Sequence, residues 1–334
     1  MELTVLWFIF LTVLFAVFFI LEGFDYGVGI LLPVIGKNDA ERQQVIHAIG
    51  PVWDGNQVWM ITAGGAMFAA FPHAYATIFS GFYLPLLLIL LALIVRGVGL
   101  EYRNKVSSPR WRGAWDWLVC GGSLLPALLW GVAITNLLQG VPINAHLQYA
   151  GTLFDLLSPY TLSGGLAFLT LFTFHGAVYL TLNLNAEMAA RARLTALWAG
   201  AFTALCCLQL VALTYVKTTL FHNNGAGNTL WLALAAFAVS YWSVLRQHFA
   251  RAFTLSSVTI LLLTVAFFWG LFPHLVISSL NPAWSLTIYN AASSPYTLQL
   301  MTIAACVFLP LIIAYQVWVY WVLRKRANDK PAAY

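Results

Sequence analysis

Three acidic side chains, Glu22, Asp25 and Asp54, lie inside or beside long apolar runs of the sequence. Glu22 and Asp25 are three residues apart, so a helix would present both carboxylates on one face. A charge inside a bilayer is costly unless it is paired or hydrated, and intramembrane acids are therefore functional candidates. Carboxylates placed in this way could take up and release protons.

The sequence around these acids is that of a membrane protein. It is 61% hydrophobic and only 8% charged, whereas a soluble domain carries about 25% charged residues. Each spanning helix needs roughly 20 apolar residues, and lipid cannot satisfy free backbone N–H and C=O groups, which favours helices. The sequence predicts one all-α membrane domain over residues 1–334 with about nine transmembrane helices, over 4–35, 50–71, 76–99, 114–138, 160–183, 194–216, 228–246, 252–276 and 297–323.

The Lys and Arg residues predict the direction of these helices. Fourteen of the 16 basic residues lie in alternate loops or in the C-terminal tail. Cytoplasmic loops are enriched in Lys and Arg, so this side is predicted to be cytoplasmic. The N-terminus is then outside, in the periplasm, and the C-terminus is in the cytoplasm.

This direction places the acids at graded depths. Asp54 lies about 6 Å and Asp25 roughly 15 Å from the cytoplasmic ends of their helices, at about 1.5 Å per residue. Glu22 lies deeper still, so the three acids could form a proton path from the cytoplasm. Two alternatives remain for Asp54, because it could cap its helix or pair with Arg96.

The sequence gives less support for haem, metal or nucleic-acid binding. Of the seven histidines only His175 lies well inside a predicted span. A membrane dihaem site needs opposed ligands, so the sequence predicts no firmly bound haem in this chain and a hydrogen-bonded packing role for His175. The four cysteines show no metal-binding spacing, and no metal site is predicted. The net charge of +5 arises from the cytoplasmic loops and does not indicate nucleic-acid binding.

Several sequence blocks carry a family resemblance. They include Glu22-Gly-Phe-Asp-Tyr-Gly-Val-Gly29, Trp53-Asp-Gly-Asn-Gln-Val-Trp59, Arg96-Gly-Val-Gly-Leu-Glu-Tyr-Arg103 and Asn136-Leu-Leu-Gln-Gly-Val-Pro142, in that order. In these blocks the chain resembles subunit II of cytochrome bd-type ubiquinol oxidases. Its length resembles the shorter, cyanide-insensitive branch of that family, and the resemblance covers essentially the whole chain.

The resemblance implies a subunit of a terminal oxidase in the bacterial inner membrane. Such a complex oxidises ubiquinol and reduces O2 to water in aerobic respiration. Haems b558, b595 and d, with the quinol site, are expected in the partner, subunit I. A structural ubiquinone, lipids and small single-helix accessory subunits are further expected components of the complex.

The resemblance also assigns roles to residues. It implies that Asp54 lies on the proton path from the cytoplasm and that Asp25 and Glu22 belong to the same polar interior. No catalytic residue is expected in this chain. The neighbouring side chains interpreted as polar support or interface are Trp53, Asn56, Gln57, Arg96 and Glu101.

Small residues in these blocks predict close helix contacts. Gly23, Gly27, Gly29 and the Gly64–Gly65 pair could pack against subunit I or within the chain.

Two alternative functions stay open at this point. A secondary transporter could use the same acids as coupling sites, but transporters often show inverted repeats and paired broken helices, which are not evident here. A scaffold without a proton role would differ only in how Asp54 and Asp25 respond to substitution.

Overall fold

The computed structural model describes residues 2–222 and 224–326, and most of them are helical. In chain order the α-helices are α1 (Leu3–Ile35), α2 (Asp39–Ile49), α3 (Trp53–Ala70), α4 (Pro72–Gly81), α5 (Tyr83–Tyr102), α6 (Pro109–Gln139), α7 (Pro159–Asn183), α8 (Ala186–Lys217), α9 (Asn224–Leu245), α10 (Phe249–Leu271) and α11 (Pro295–Arg326). A short antiparallel pair joins β1 (His274–Val276) to β2 (Leu286–Thr287) between α10 and α11.

Within the described ranges, eight helices are long and apolar enough to cross a membrane. They are α1 and α5 to α11, which confirms the predicted all-α membrane fold. The remaining predicted span corresponds to α3, which has 18 residues. Its first two turns carry Asp54, Asn56 and Gln57, and these polar residues make α3 less hydrophobic than a typical spanning helix.

Three local differences from the predicted helices have identifiable causes. The segment predicted as one helix over 76–99 is divided between α4 and α5, and Pro85 lies in the first turn of α5, where it cannot donate a backbone hydrogen bond. The helix predicted over 252–276 ends at Leu271, two residues before a proline. The charged segment after α1, predicted as a loop, forms α2, and the Asn38 side chain caps it by accepting from the Glu41 amide.

Helix α1 lies at the centre of the bundle, against α3, α6, α7 and α10. Where it crosses α7, a β-carbon on Gly27 would lie 2.8 Å from the Gly176 backbone. Glycine at both positions therefore lets the two helices approach closely. Gly23 packs on Phe172 in the same way. Gly29 packs on a side chain of α6.

These contacts decide part of the prediction that the glycines pack against subunit I or within the chain. The three glycines of α1 pack within the chain. Gly64 and Gly65 border open space instead, and their contact with a partner subunit stays a prediction.

The first and last helices begin at the same end of the bundle. The Trp7 indole donates to the Leu298 carbonyl at 3.3 Å and to the Thr302 hydroxyl at 3.1 Å. Phe71, just beyond α3, belongs to the same apolar cluster as Trp7, whereas Asn56 near the start of α3 reaches Asp25 in the second half of α1. Helix α3 therefore runs antiparallel to α1 through the bundle.

Candidate functional site

The centre of the bundle contains a buried cluster of two acids and one base. Glu22 and Asp25 come from α1 and Arg96 from α5, and all three side chains are fully buried. An Arg96 Nη atom forms an ion pair with Glu22. The guanidinium carbon of Arg96 also lies 5.0 Å from the centre of the Tyr26 ring, a cation–π arrangement. The predicted acid pair thus has a specific basic partner.

Helix α3 supplies the hydrogen-bond partner of Asp25. The amide nitrogen of Asn56 donates to Asp25 Oδ2 at 2.8 Å, and Asn56 is itself fully buried. The amide oxygen of Asn56 accepts from the Tyr320 hydroxyl of α11 at 2.8 Å. Gln316, one turn earlier on α11, lies 3.5 Å from the same oxygen. Tyr320 and Gln316 were not predicted from the sequence.

The charges of this cluster do not balance when both acids are ionised. Two carboxylates would then face one guanidinium, leaving a net negative charge on fully buried side chains. Like charges at a shared site favour protonation of one of them, and an uncompensated buried charge is strongly destabilising. Glu22 Oε2 and Asp25 Oδ1 are buried and meet no hydrogen-bond partner among the described residues. These two oxygens can therefore accept a proton.

Asp54 does not join this cluster. It is exposed, and its side chain lies about 200° around α3 from that of Asn56, two residues later, at 3.6 residues per turn. The cap of α3 is Val52, with no side-chain cap hydrogen bond, and Arg96 pairs with Glu22. Both sequence-based alternatives for Asp54, a helix cap and a pair with Arg96, are therefore wrong.

The other predicted support residues differ in burial. The Trp53 indole packs against Gly97 of α5, and Gln57 is partly buried with an amide nitrogen turned into the protein. Glu101 is exposed and lies outside the buried cluster. Trp53 and Gln57 thus belong to the protein interior, whereas Glu101 belongs to the surface.

A second charged network joins α2 to α5 and α6. The fully buried Arg103, just after α5, donates to Asp116 at 2.6 Å and to Asp39 at 2.8 Å. Arg112 reaches the other oxygen of Asp39 at 2.5 Å, and Arg42 reaches Asp116 at 2.9 Å. Although partial burial acts to raise it, the hydrogen bonds and charges of Arg103 and Arg112 hold the pKa of Asp39 below its usual range. This network fixes the polar helix α2 to the membrane helices.

The histidine inside the bundle, His175, does not offer a free nitrogen to a haem. The ring nitrogens of His175 are both engaged, Nδ1 with Ser256 Oγ at 2.7 Å and Nε2 with the Ile20 carbonyl at 3.1 Å. The ring also stacks on Phe253 at 4.7 Å. The predicted packing role of His175 is therefore confirmed. Within the described ranges, no group of three or more His, Cys, Asp or Glu side chains could hold a metal ion.

An apolar cavity of about 580 Å³ opens beside α3. Its walls come from α1, α3, α4, α5, α6 and α10, and include Gly64 and Gly65, Phe82, Leu86 and Trp130. The lining is almost entirely hydrocarbon, which suits an isoprenoid or acyl chain better than a polar ligand.

Fold and site together define a multi-pass helical membrane protein with a buried acid–arginine cluster. A family model described as cytochrome bd terminal oxidase subunit II matches residues 3–323. The chain belongs to this family, so it is a subunit of a bd-type terminal oxidase complex.

Individual relatives are similar to this chain over nearly its full length. "Cytochrome bd ubiquinol oxidase subunit 2" of Bacillus subtilis is 39% identical, over 98% of each chain. "Cytochrome bd-I ubiquinol oxidase subunit 2" of Escherichia coli is also 39% identical, over 97% of this chain and 95% of the relative. A chain of the bd oxidase structure from Geobacillus thermodenitrificans superposes with a TM-score of 0.75 at 20% identity, covering 99% of this chain and 100% of that one. That structure shows the shared fold, and the family assignment sets aside the transporter alternative.

Proposed function

We propose that this chain supports the haem-bearing subunit I of a quinol oxidase in the bacterial inner membrane and carries part of its proton path from the cytoplasm. The complex would oxidise ubiquinol and reduce O2 to water, with haems b558, b595 and d in subunit I. The observation that carries the proton role is the buried pair of carboxylates, Glu22 and Asp25, facing a single buried guanidinium, that of Arg96.

The proposal assigns separate roles to the haems of the partner and to the side chains of this chain. The haems supply the electron chemistry in the partner. Asp54, exposed near the start of α3, collects protons near the cytoplasmic surface. Asn56 orients Asp25, and Arg96 holds the charge of Glu22 in the low-dielectric interior. The free oxygens of Glu22 and Asp25 accept and release the proton.

The test is substitution of the titrating groups. Asp25→Asn preserves the side-chain shape but cannot titrate, so proton uptake and turnover are expected to fall by about tenfold or more, with near-normal haem content. Asp54→Asn is expected to act similarly. Asp155→Asn, at an exposed position of a short 3-10 helix outside the membrane helices, is the matched control.

Proton uptake is followed with a pH-sensitive dye as the fully reduced complex in vesicles is oxidised. A fully assembled Asp25→Asn complex with wild-type uptake rates would remove Asp25 from the path. A scaffold role predicts either no effect or loss of assembly together with activity.

The proposed sidedness follows from the basic residues. Topology reporters fused after Lys105 and Arg193 are expected to report the cytoplasm, and those fused after Asn144 and Asn290 the outside. The common location of Trp7 and Leu298 at one end of the bundle supports an odd number of crossings. A reversed reporter in the middle of the chain would show that the predicted helices before it include one crossing too many or too few.

The remaining expectations concern the complex. We place a structural ubiquinone in the apolar cavity beside α3, because its lining suits an isoprenoid tail. Small single-helix accessory subunits, and membership of the cyanide-insensitive branch, rest on the family resemblance and the chain length.

A further inference from the structure

The last helix, α11, packs on the bundle differently from the others. In its most apolar stretch only 6% of residues are buried, against 33% or more in each of the other seven candidate spans. It nevertheless reaches the buried acid cluster through two polar side chains, Gln316 and Tyr320. A loosely packed helix that makes such specific polar contacts indicates a role for the contacts themselves.

These contacts stabilise one orientation of the Asn56 amide group. Tyr320 donates its hydroxyl proton to Asn56 Oδ1 at 2.8 Å, and the Gln316 amide nitrogen approaches the same oxygen at 3.5 Å. An asparagine amide has an acceptor end and a donor end. With the acceptor end held by α11, the donor end faces Asp25 Oδ2 at 2.8 Å.

The reverse orientation would be unfavourable for Asp25. It would set the Asn56 oxygen against a carboxylate oxygen, and Asp25 would lose its amide donor. A hydrogen bond to an ionised carboxylate favours the charged form and is stronger than a neutral one. The hydroxyl of Tyr320 therefore acts on Asp25 through Asn56.

We propose that Tyr320, assisted by Gln316, is a positioning residue that sets the proton affinity of the buried acid pair. The inference rests on the proposed proton role of Asp25 and Glu22. It gives α11 a function in proton transfer: its position on the bundle determines how Asn56 meets Asp25. Tyr320 does not itself relay the proton, because the Asn56 amide stands between it and the carboxylate.

Several other charged or titratable groups act on Asp25. Glu22 and Tyr26 do so from α1, Arg96 from α5 and Tyr179 from α7. Tyr320→Phe changes none of them and keeps the aromatic ring. A shift in pH dependence can then be traced to the lost hydroxyl.

The experiment compares the pH profiles of turnover and proton uptake in the purified complex. For Tyr320→Phe, the acid limb of each profile is expected to move to higher pH by up to about one unit, because the lost hydrogen bond from Tyr320 to Asn56 joins two neutral groups. Haem content is expected to be unchanged. Tyr315→Phe, at an exposed position of the same helix, is the control and should reproduce the wild-type profile.

A second arm tests whether the effect passes through Asp25. In an Asp25→Asn background, Tyr320→Phe is expected to cause no further shift. A Tyr320→Phe profile that superimposes on the wild type, or a shift that persists in the Asp25→Asn background, would overturn this inference and leave the proposed function standing. Wild-type proton uptake in Asp25→Asn alone would instead overturn the proposed function.

A weaker substitution covers the case in which Tyr320→Phe lowers haem content. Gln316→Leu removes the more distant donor and should shift the acid limb in the same direction by a smaller amount. An unshifted Gln316→Leu profile in that case would count against the inference.

Discussion

Replacing Arg96 by glutamine would remove the guanidinium that faces both Glu22 and Asp25. All three side chains are fully buried, so neither water nor salt can compensate for the loss. Removal of one partner of a buried ion pair typically costs about 3–5 kcal/mol, because it leaves a buried charge uncompensated. We expect a loss of this size for Arg96→Gln, with the two acids then competing for a proton.

The reciprocal change should cost less. In Glu22→Gln the positive charge of Arg96 is still opposed by Asp25, and the glutamine can still accept a hydrogen bond. We expect a loss of about 1.5–3 kcal/mol, the range of a hydrogen bond that involves one charged group. The double variant removes the arginine and one acid together, so it should be more stable than Arg96→Gln alone.

The assay is thermal loss of the haem absorbance of the purified complex in detergent, measured for the wild type, the two single variants and the double variant. Arg110→Gln, at an exposed position in the first turn of α6, controls for loss of a basic residue at the surface. The reasoning is refuted if Arg96→Gln is as stable as Arg110→Gln. It is also refuted if the double variant is no more stable than Arg96→Gln.

Two further predictions follow from the packing and the charge network. Gly65→Leu is expected to narrow the apolar cavity and to lower the amount of ubiquinone extracted from the purified complex. Unchanged quinone content in an assembled Gly65→Leu complex would contradict this prediction. Gly27→Leu, at the contact with Gly176, should instead stop the chain from accumulating in the membrane. The lowered pKa of Asp39 contributes stability that is complete above its ordinary pKa of about 4 and is lost as the pH falls through the lowered value. Thermal melts of wild type and Asp39→Asn should therefore differ at pH 7 and converge at low pH. The difference at pH 7 is expected to be small, because the Asp39 side chain is half exposed and solvent screens its charge.

The long apolar helices could be predicted from the sequence because lipid leaves the backbone few alternatives. The polar segments were less predictable. The eleven residues of α2 carry charges that are typical of a loop, and its acidic side chains pair with distant partners, Arg103 and Arg191, that local sequence does not reveal. The interruption between α4 and α5 had a local signal in Pro85, which continuous apolar sequence on both sides concealed.

The candidate site was predictable in composition but not in pairing. Glu22, Asp25 and Arg96 were all singled out, yet the sequence did not show that Arg96 pairs with Glu22 and leaves Asp54 alone. Helical phase could have shown part of this, since residues two apart on α3 point in nearly opposite directions. The contact between Asn56 and Tyr320 spans 264 positions, and only the packing of α11 against α3 brings the two side chains together.

The block from Glu22 to Gly29 combines two requirements that depend on each other. Its acids point toward α3 and α5, while Gly23 and Gly27 point toward α7, where any larger side chain would collide with Phe172 or Gly176. The close contact on the glycine side holds α1 deep in the bundle, and this depth is what keeps Glu22 and Asp25 away from both water and lipid. If α1 lay farther from α7, solvent could reach the two acids. The excess negative charge beside Arg96 would then cost little free energy, and the acid pair would bind a proton less tightly. The small residues of this block therefore matter to its proton chemistry as much as its carboxylates do.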